Sequence, residues 1–218
     1  MPFVDLSHPI RPGMPAYPGD GPTTFTPVAD YANDGYRERT VTMPSHTGTH
    51  IDPPGHMIPG RRMLDEFPIE HFIGRAGRLD VTDLSPGSEI EAERLTHFGE
   101  TLSHLDYLLV ETGWAARWGE PTYFENIPVF SPAAAQRLAE LSEANGGRLR
   151  GVGLDVSSVD PVGAEDFPIH EIFLGAGLLI VENVADLSAV PDSDFTFSCP
   201  PLPLADADGA PCRAWASW

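Results

Sequence analysis

The sequence predicts an α/β protein built on a mixed β-sheet, and three observations lead there. Short apolar runs suited to buried strands, Asp106 to Glu111, Arg150 to Val156 and Leu178 to Glu182, are separated by segments that carry helix signals. Several strand connections are too short for a helical crossover, so some neighbours must run antiparallel. With 218 residues, 41% of them hydrophobic, and no internal repeat or low-complexity block, the chain suits one compact domain over 1–218.

Taken in order, residues 3 to 10 alternate enough for a first strand. Arg11 to Pro27 holds five prolines and three glycines, which forbids helix or central strand. Its interleaved Met14, Tyr17 and Phe25 mark it as an ordered loop folded over something, such as a pocket mouth. Arg37 to Met43 reads as a strand. Gly60 to Ile73 is irregular with a helical turn near Ile69 to Phe72, and Ala76 to Val81 is a strand. Ser88-Glu89-Ile90-Glu91 has the form of a capping box and predicts a helix to about Phe98. Asp106 to Glu111 is a buried strand followed by a turn at Thr112-Gly113-Trp114, with Trp114 and Trp118 as packing residues.

Ser131 as cap, Pro132 in the first turn and Gly146-Gly147 beyond the end frame a second helix, with Leu138 and Leu141 on its apolar stripe. Arg150 to Val156 is a strand that ends in the turn-forming Ser157-Ser158-Val159-Asp160-Pro161. A short helix over Ile169 to Leu174 and a strand over Leu178 to Glu182 follow. Phe195 to Leu204 reads as a final, proline-broken edge strand.

Charge excludes some classes of function. Thirteen basic residues against 32 acidic ones give −19, which leaves no basic footprint for nucleic acid or an anionic membrane. No stretch approaches the roughly 20 apolar residues of a membrane span. The start Met1-Pro2-Phe3-Val4-Asp5 lacks the basic and apolar regions of a signal peptide, so a soluble cytoplasmic protein is expected. Cys199 and Cys212 read as two small buried thiols.

The chemistry gathers between residues 46 and 56. His46, His50 and His56, three of the eight histidines, fall in eleven residues with Asp52 among them. Imidazole and carboxylate suit Zn²⁺ or Mn²⁺. As a helix, Asp52 would point about 120° away from His46 and His50, and Pro53-Pro54 would stop it. As a strand, His50 and Asp52 share a face, and His46 joins them only if the chain turns at Thr47-Gly48. Pro53-Pro54 then fixes the exit and returns His56 to the same pocket. A lone histidine is usually a surface or core residue, whereas four potential ligands in one stiffened loop favour a metal site.

The run H-x-G-T-H-x-D-x-P-x-H, present at all seven fixed positions, resembles the signature of the cyclase family of metal-dependent hydrolases, which includes bacterial kynurenine formamidases and isatin hydrolases. Asp5-Leu6-Ser7, Tyr17-Pro18-Gly19-Asp20, the block from Gly153 to Pro161 and the block from Ala207 to Arg213 also resemble family sequence. Tyr17 stands where a substrate-contacting tryptophan is common, and Ala210 where serine is commoner.

More ligands must come from elsewhere, and His170 and Glu182 are candidates by position. From spacing alone a solvent-exposed strand end remains open for Glu182, and an ordinary histidine for His170. The resemblance implies both as ligands, since family members carry a histidine and a Leu-Glu-Asn glutamate twelve residues apart. It further implies His46, His50 and Asp52 on one ion, Asp52, His170 and Glu182 on a second, Asp52 bridging with Glu182 open to bridging as well, and His56 as acid/base. The unperturbed histidine pKa of about 6.5 suits that role.

The implied fold is a compact swivelling β/β/α domain, in a homodimer or homotetramer. No Gly-x-Ser-x-Gly, phosphate loop or cysteine beside a histidine offers another chemistry. The expected activity is metal-hydroxide attack on an amide, with N-formyl-L-kynurenine as the implied substrate and Tyr17 against its aryl ring. Isatin-type opening of a cyclic amide and a non-catalytic, metal-dependent binding protein are the alternatives. His8, His71, His97 and His104 are expected to be ordinary surface or packing residues, and Arg213 a structural ion-pair residue.

Overall fold

Four parallel strands form the centre of a nine-stranded mixed sheet. In the computed structural model, residues 1–144 and 146–218 are described, apart from the side chains of residues 97, 99 and 100, so the reading of His97 lies outside the described residues. The strands are β1 (Phe3–Asp5), β2 (Thr24–Ala29), β3 (Glu38–Thr42), β4 (His50–Asp52), β5 (Ile73–Asp80), β6 (Glu89–Ile90), β7 (Tyr107–Glu111), β8 (Val129–Phe130), β9 (Gly151–Leu154), β10 (Leu179–Glu182), β11 (Phe195–Ser198), β12 (Ala210–Pro211) and β13 (Trp215–Ser217). The α-helices are α1 (Pro132–Ala144) and α2 (Pro168–Gly175).

Strand order is β1-β13-β11-β5-β7-β9-β10-β4-β12, with β5, β7, β9 and β10 parallel and the outer neighbours antiparallel. β7, β9 and β10 are buried along their whole length, which is why they read as nearly unbroken apolar runs, whereas β5 carries Arg75 and Arg78 and is only partly buried. Along β7, Leu108 and Val110 join the core under α1 and α2, whereas Tyr107 and Leu109 join a second core on the opposite face. β10 alternates the same way, placing Ile180 in the first core and Leu179 and Val181 in the second.

The Ser131 hydroxyl accepts the Ala134 N–H at 3.2 Å, the predicted cap of α1, a contact of about 1 kcal/mol. Past the helix, Gly146 and Gly147 take φ of 68° and 74°, and the Gly147 N–H returns to the Ser142 carbonyl. Cys199 and Cys212 are free, buried thiols, as expected. Arg213 pairs with Asp5 at the surface (2.6 Å), His71 packs on Phe67, and His104 is exposed.

Two expectations fail. Ser88-Glu89-Ile90-Glu91 opens no α-helix: Glu89 and Ile90 pair in parallel with Val129 and Phe130, and a 3-10 segment, Ala92–His104, follows. Backbone groups committed to a ladder cannot begin a helix, so the side-chain pattern of a capping box was overridden by a partner strand distant in sequence. Phe195 to Leu204 is neither final nor an edge. β11 stops at Ser198, lies between β13 and β5, and precedes two more strands, because Pro200, Pro201 and Pro203 all fall beyond its end.

The proline-rich N-terminal loop also yields more strand than its composition suggested. Thr24 to Ala29 pairs with β3 in a separate two-stranded ribbon, with Pro27 at a register shift where the missing N–H is tolerated. Val28, Tyr31, Tyr36 and Val41 stand exposed on or beside this ribbon.

His8 packs flat on Trp118, ring centroids 4.0 Å apart. Burial, with the Arg11 charge, holds its pKa down to about 4 from 6.5. The folded protein therefore keeps His8 neutral where the unfolded chain already takes up a proton. Stability from this site is full above about pH 6.5 and lost as pH falls toward 4. Allowing for partial exposure, the loss should be about 1–2 kcal/mol. Denaturant melts of His8→Phe across that window should show a flatter pH dependence than wild type.

Candidate metal centre

Each predicted ligand arrives from a backbone device that its own sequence sets. Gly48 takes φ +63°, turning the chain as expected between His46 and β4. In β4, His50 and Asp52 share one face, and Ile51 fills the opposite core. Antiparallel pairing sets Glu182 of β10 directly opposite His50. Pro53 and Pro54 lead into a 3-10 turn, Pro54–His56, that brings the His56 ring to 4.2 Å from the His46 ring. From the other side, the start of α2 presents His170.

These groups converge. Asp52 Oδ1 lies 2.7 Å from His46 Nδ1 and 3.4 Å from His50 Nε2. Glu182 divides its oxygens, Oε2 being 3.5 Å from His50 Nε2 and Oε1 3.4 Å from His170 Nε2. Among the described residues two largely buried triads, His46/His50/Asp52 and Asp52/His170/Glu182, could each hold an ion, with Asp52 common to both. A third group, His46/His56/Asp208, is more open, Asp208 being exposed.

The donor set fits a cation. His50 Nδ1 donates to the Gly48 carbonyl at 2.8 Å, so its lone pair sits on Nε2, facing two carboxylates. His50 Nε2 and Asp52 Oδ1 are buried with no hydrogen-bond partner among the described residues. The 2.7 Å approach of His46 to Asp52 lacks hydrogen-bond geometry, as expected of two donors aimed at a third point. Uncompensated, such burial is costly, and a divalent ion removes the cost.

Without an ion, protons take its place. Burial works to lower the His46 pKa, but the Asp52 charge outweighs it and raises it to about 9. Burial likewise opposes, and Asp160 and Glu182 overcome, the rise of His170 to about 10. Asp52 is held well below the usual carboxylate range, burial being outweighed by His50 and His46. His56 differs: burial keeps its pKa below the ordinary value despite Asp52.

The centre floors a cavity of about 300 Å³. Tyr17, Trp118, Phe124 and Phe167 form aromatic walls, and Tyr17 meets Phe124 edge-on at 6.2 Å. The Tyr17 hydroxyl also accepts the Gly163 N–H at 3.3 Å, tying the N-terminal loop across the mouth. Sequence reasoning missed Phe124 and Phe167 and took Trp118 only for packing, since an aromatic residue facing a cavity carries no local signal. It also missed Asp208, 3.7 Å from His46, and Gly209, where a Cβ would fall 2.5 Å from the His46 ring.

An α/β sheet whose strand ends gather three imidazoles and two carboxylates beneath an aromatic cavity is the architecture of a divalent-metal enzyme. The Cyclase family model ("Putative cyclase") matches residues 4–161, and the chain belongs to the cyclase family. A kynurenine formamidase of Geobacillus thermodenitrificans is 33% identical, covering 98% of this chain and 96% of its own length. One from Bacillus mycoides is 32% identical over 97% and 95%. Isatin hydrolase A of Labrenzia aggregata, solved with benzyl benzoate bound, shares the fold at TM-score 0.86, with 24% identity over 99% of this chain and 93% of that one. A structure described as a predicted metal-dependent hydrolase from Bacillus stearothermophilus superimposes at TM-score 0.77, with 26% identity over 99% and 97%.

Proposed function

We propose that the protein is a divalent-metal amide hydrolase of the arylformamidase type, converting N-formyl-L-kynurenine and water to L-kynurenine and formate. The observation that carries this is the pair of ligand triads sharing Asp52 at the floor of an aromatic-walled cavity, in a chain that matches kynurenine formamidases over nearly its whole length.

His46, His50 and Asp52 would hold one ion, and Asp52, His170 and Glu182 a second. Such ions lower the pKa of bound water and polarise a carbonyl. Zinc is the ion proposed, and the same nitrogen and oxygen donors accept manganese. Tyr17, Trp118 and Phe124 hold the aryl ring by its faces and edges, which places the formyl group over the ligands. His56, neutral near pH 7 and 4.2 Å from His46, takes a proton from the attacking water and returns it to the departing aniline nitrogen.

A homodimer is the proposed assembly, supported by the exposed apolar side chains of the β2–β3 ribbon. Among the described residues no helix is long and apolar enough to cross a membrane. Two free buried cysteines suit a reducing compartment, and the cytoplasm is proposed.

Metal analysis with a hydrolysis panel of formylkynurenine, isatin and formanilide tests the reading. Formylkynurenine should give the highest kcat/KM, and chelation should abolish turnover. Preference for isatin would replace the substrate and keep the chemistry; full activity after chelation would end the proposal.

A further inference from the structure

Three imidazoles point into the centre, and three different things orient them. His50 is held by a backbone carbonyl, that of Gly48. His46 Nδ1 faces Asp52 itself. Among the three, His170 alone is hydrogen-bonded to a carboxylate outside both triads, that of Asp160; Asp208 stands 3.7 Å from His46 Nε2 without bonding it. Asp160 is completely buried, and its environment is built around it. One oxygen accepts the Ile169 N–H at 2.9 Å. The other accepts the His170 N–H at 3.0 Å and lies 2.6 Å from His170 Nδ1. The Asp160 N–H in turn donates to the Ser158 hydroxyl at 3.2 Å. Among the described residues no lysine or arginine pairs with Asp160.

A neutral imidazole carries one N–H and one lone pair. A carboxylate at Nδ1 can only accept, so it fixes the proton there and leaves the lone pair on Nε2. That atom faces Glu182 Oε1 at 3.4 Å, inside the triad with Asp52. The same carboxylate anchors the first turn of α2 through two backbone N–H groups, so helix start and ring orientation are set by one group.

We propose that Asp160 is the positioning residue that makes the Asp52/His170/Glu182 triad a metal site, and that its loss removes that ion selectively. This rests on the metal reading given above. Asp160→Asn is the discriminating change. With the amide oxygen toward Ile169, the NH2 meets both Nδ1 and the His170 N–H; with the oxygen toward His170, the Ile169 N–H loses its acceptor. In either orientation the charged hold on Nδ1 is gone while the side-chain volume is kept. The other triad makes no contact with Asp160 and should keep its ion.

Zinc titration followed by calorimetry, with stoichiometry checked by atomic emission, measures this directly. Wild type should take up two ions per chain. Asp160→Asn should hold one with affinity near that of wild type and bind the other about 10–100-fold more weakly. A merely structural role would instead lower the melting temperature of the ion-free protein and weaken both ions together. Unchanged affinity for both ions, or equal loss of both, overturns the role of Asp160 alone. Failure of wild type to bind zinc at all overturns the metal reading. Should the variant not fold, ring-nitrogen NMR of wild type decides: with zinc bound, His170 should be protonated at Nδ1, and a proton on Nε2 refutes the proposal.

Discussion

Asp52→Asn should strip both ions from the protein and lower hydrolysis by roughly 10³-fold or more. Asp52 is the member common to both triads, is 1% exposed, and lies close to the ring nitrogens of both His46 and His50. An amide in its place keeps the volume, removes the negative charge, and offers an N–H where a lone pair is required. Glu182 also reaches a ligand of each triad, His50 and His170, but it does not touch His46, so the first ion loses the carboxylate that lies nearest two of its ligands. Metal content and kcat/KM measured on the same sample check it. A variant that kept two ions per chain and a tenth of wild-type activity would sink the bridging role.

His56→Ala should leave metal content within experimental scatter of wild type and cut kcat by about 10²–10⁴-fold, with KM little changed. His56 stands beside both triads and belongs to neither, grouping among the described residues only with His46 and the exposed Asp208, on a 3-10 turn that two prolines hold. Its imidazole is the group free to carry a proton, because the other histidines of the centre are committed to carboxylates or a carbonyl. Loss of ions along with activity would move His56 into the ligand set. Unaltered kcat would remove it from the chemistry.

Much of this was legible where the determinants are local. His46, Gly48, His50, Asp52 and His56 lie within eleven residues, so turn geometry and strand periodicity suffice to place them on one point. His170 and Glu182 were legible only as a residue before a short helix and an acid closing an apolar run, and family resemblance joined them to the loop. Asp160 read as part of a turn, which it is. Its burial against His170 is a tertiary fact, and nothing in Ser-Val-Asp-Pro announces it. The misread stretch at Ser88 shows the same limit, because its outcome depended on Val129 and Phe130, a strand no local pattern could point to. Asp208 lies in an alternating Ala-Asp run, where an acid near His46 looks like any other acid of a strongly anionic surface.

β4 is three residues long and carries two ligands, yet it is clasped between β10 and β12, and the Cys212 N–H closes on the Thr49 carbonyl behind it. No residue near 210 belongs to either triad. The loop is nonetheless clamped in register by residues far along the chain from it. Register in the ligand-bearing strand therefore depends on a segment outside both triads, and unpinning β12 from β4 should disarm the protein while leaving every member of the two triads in the chain.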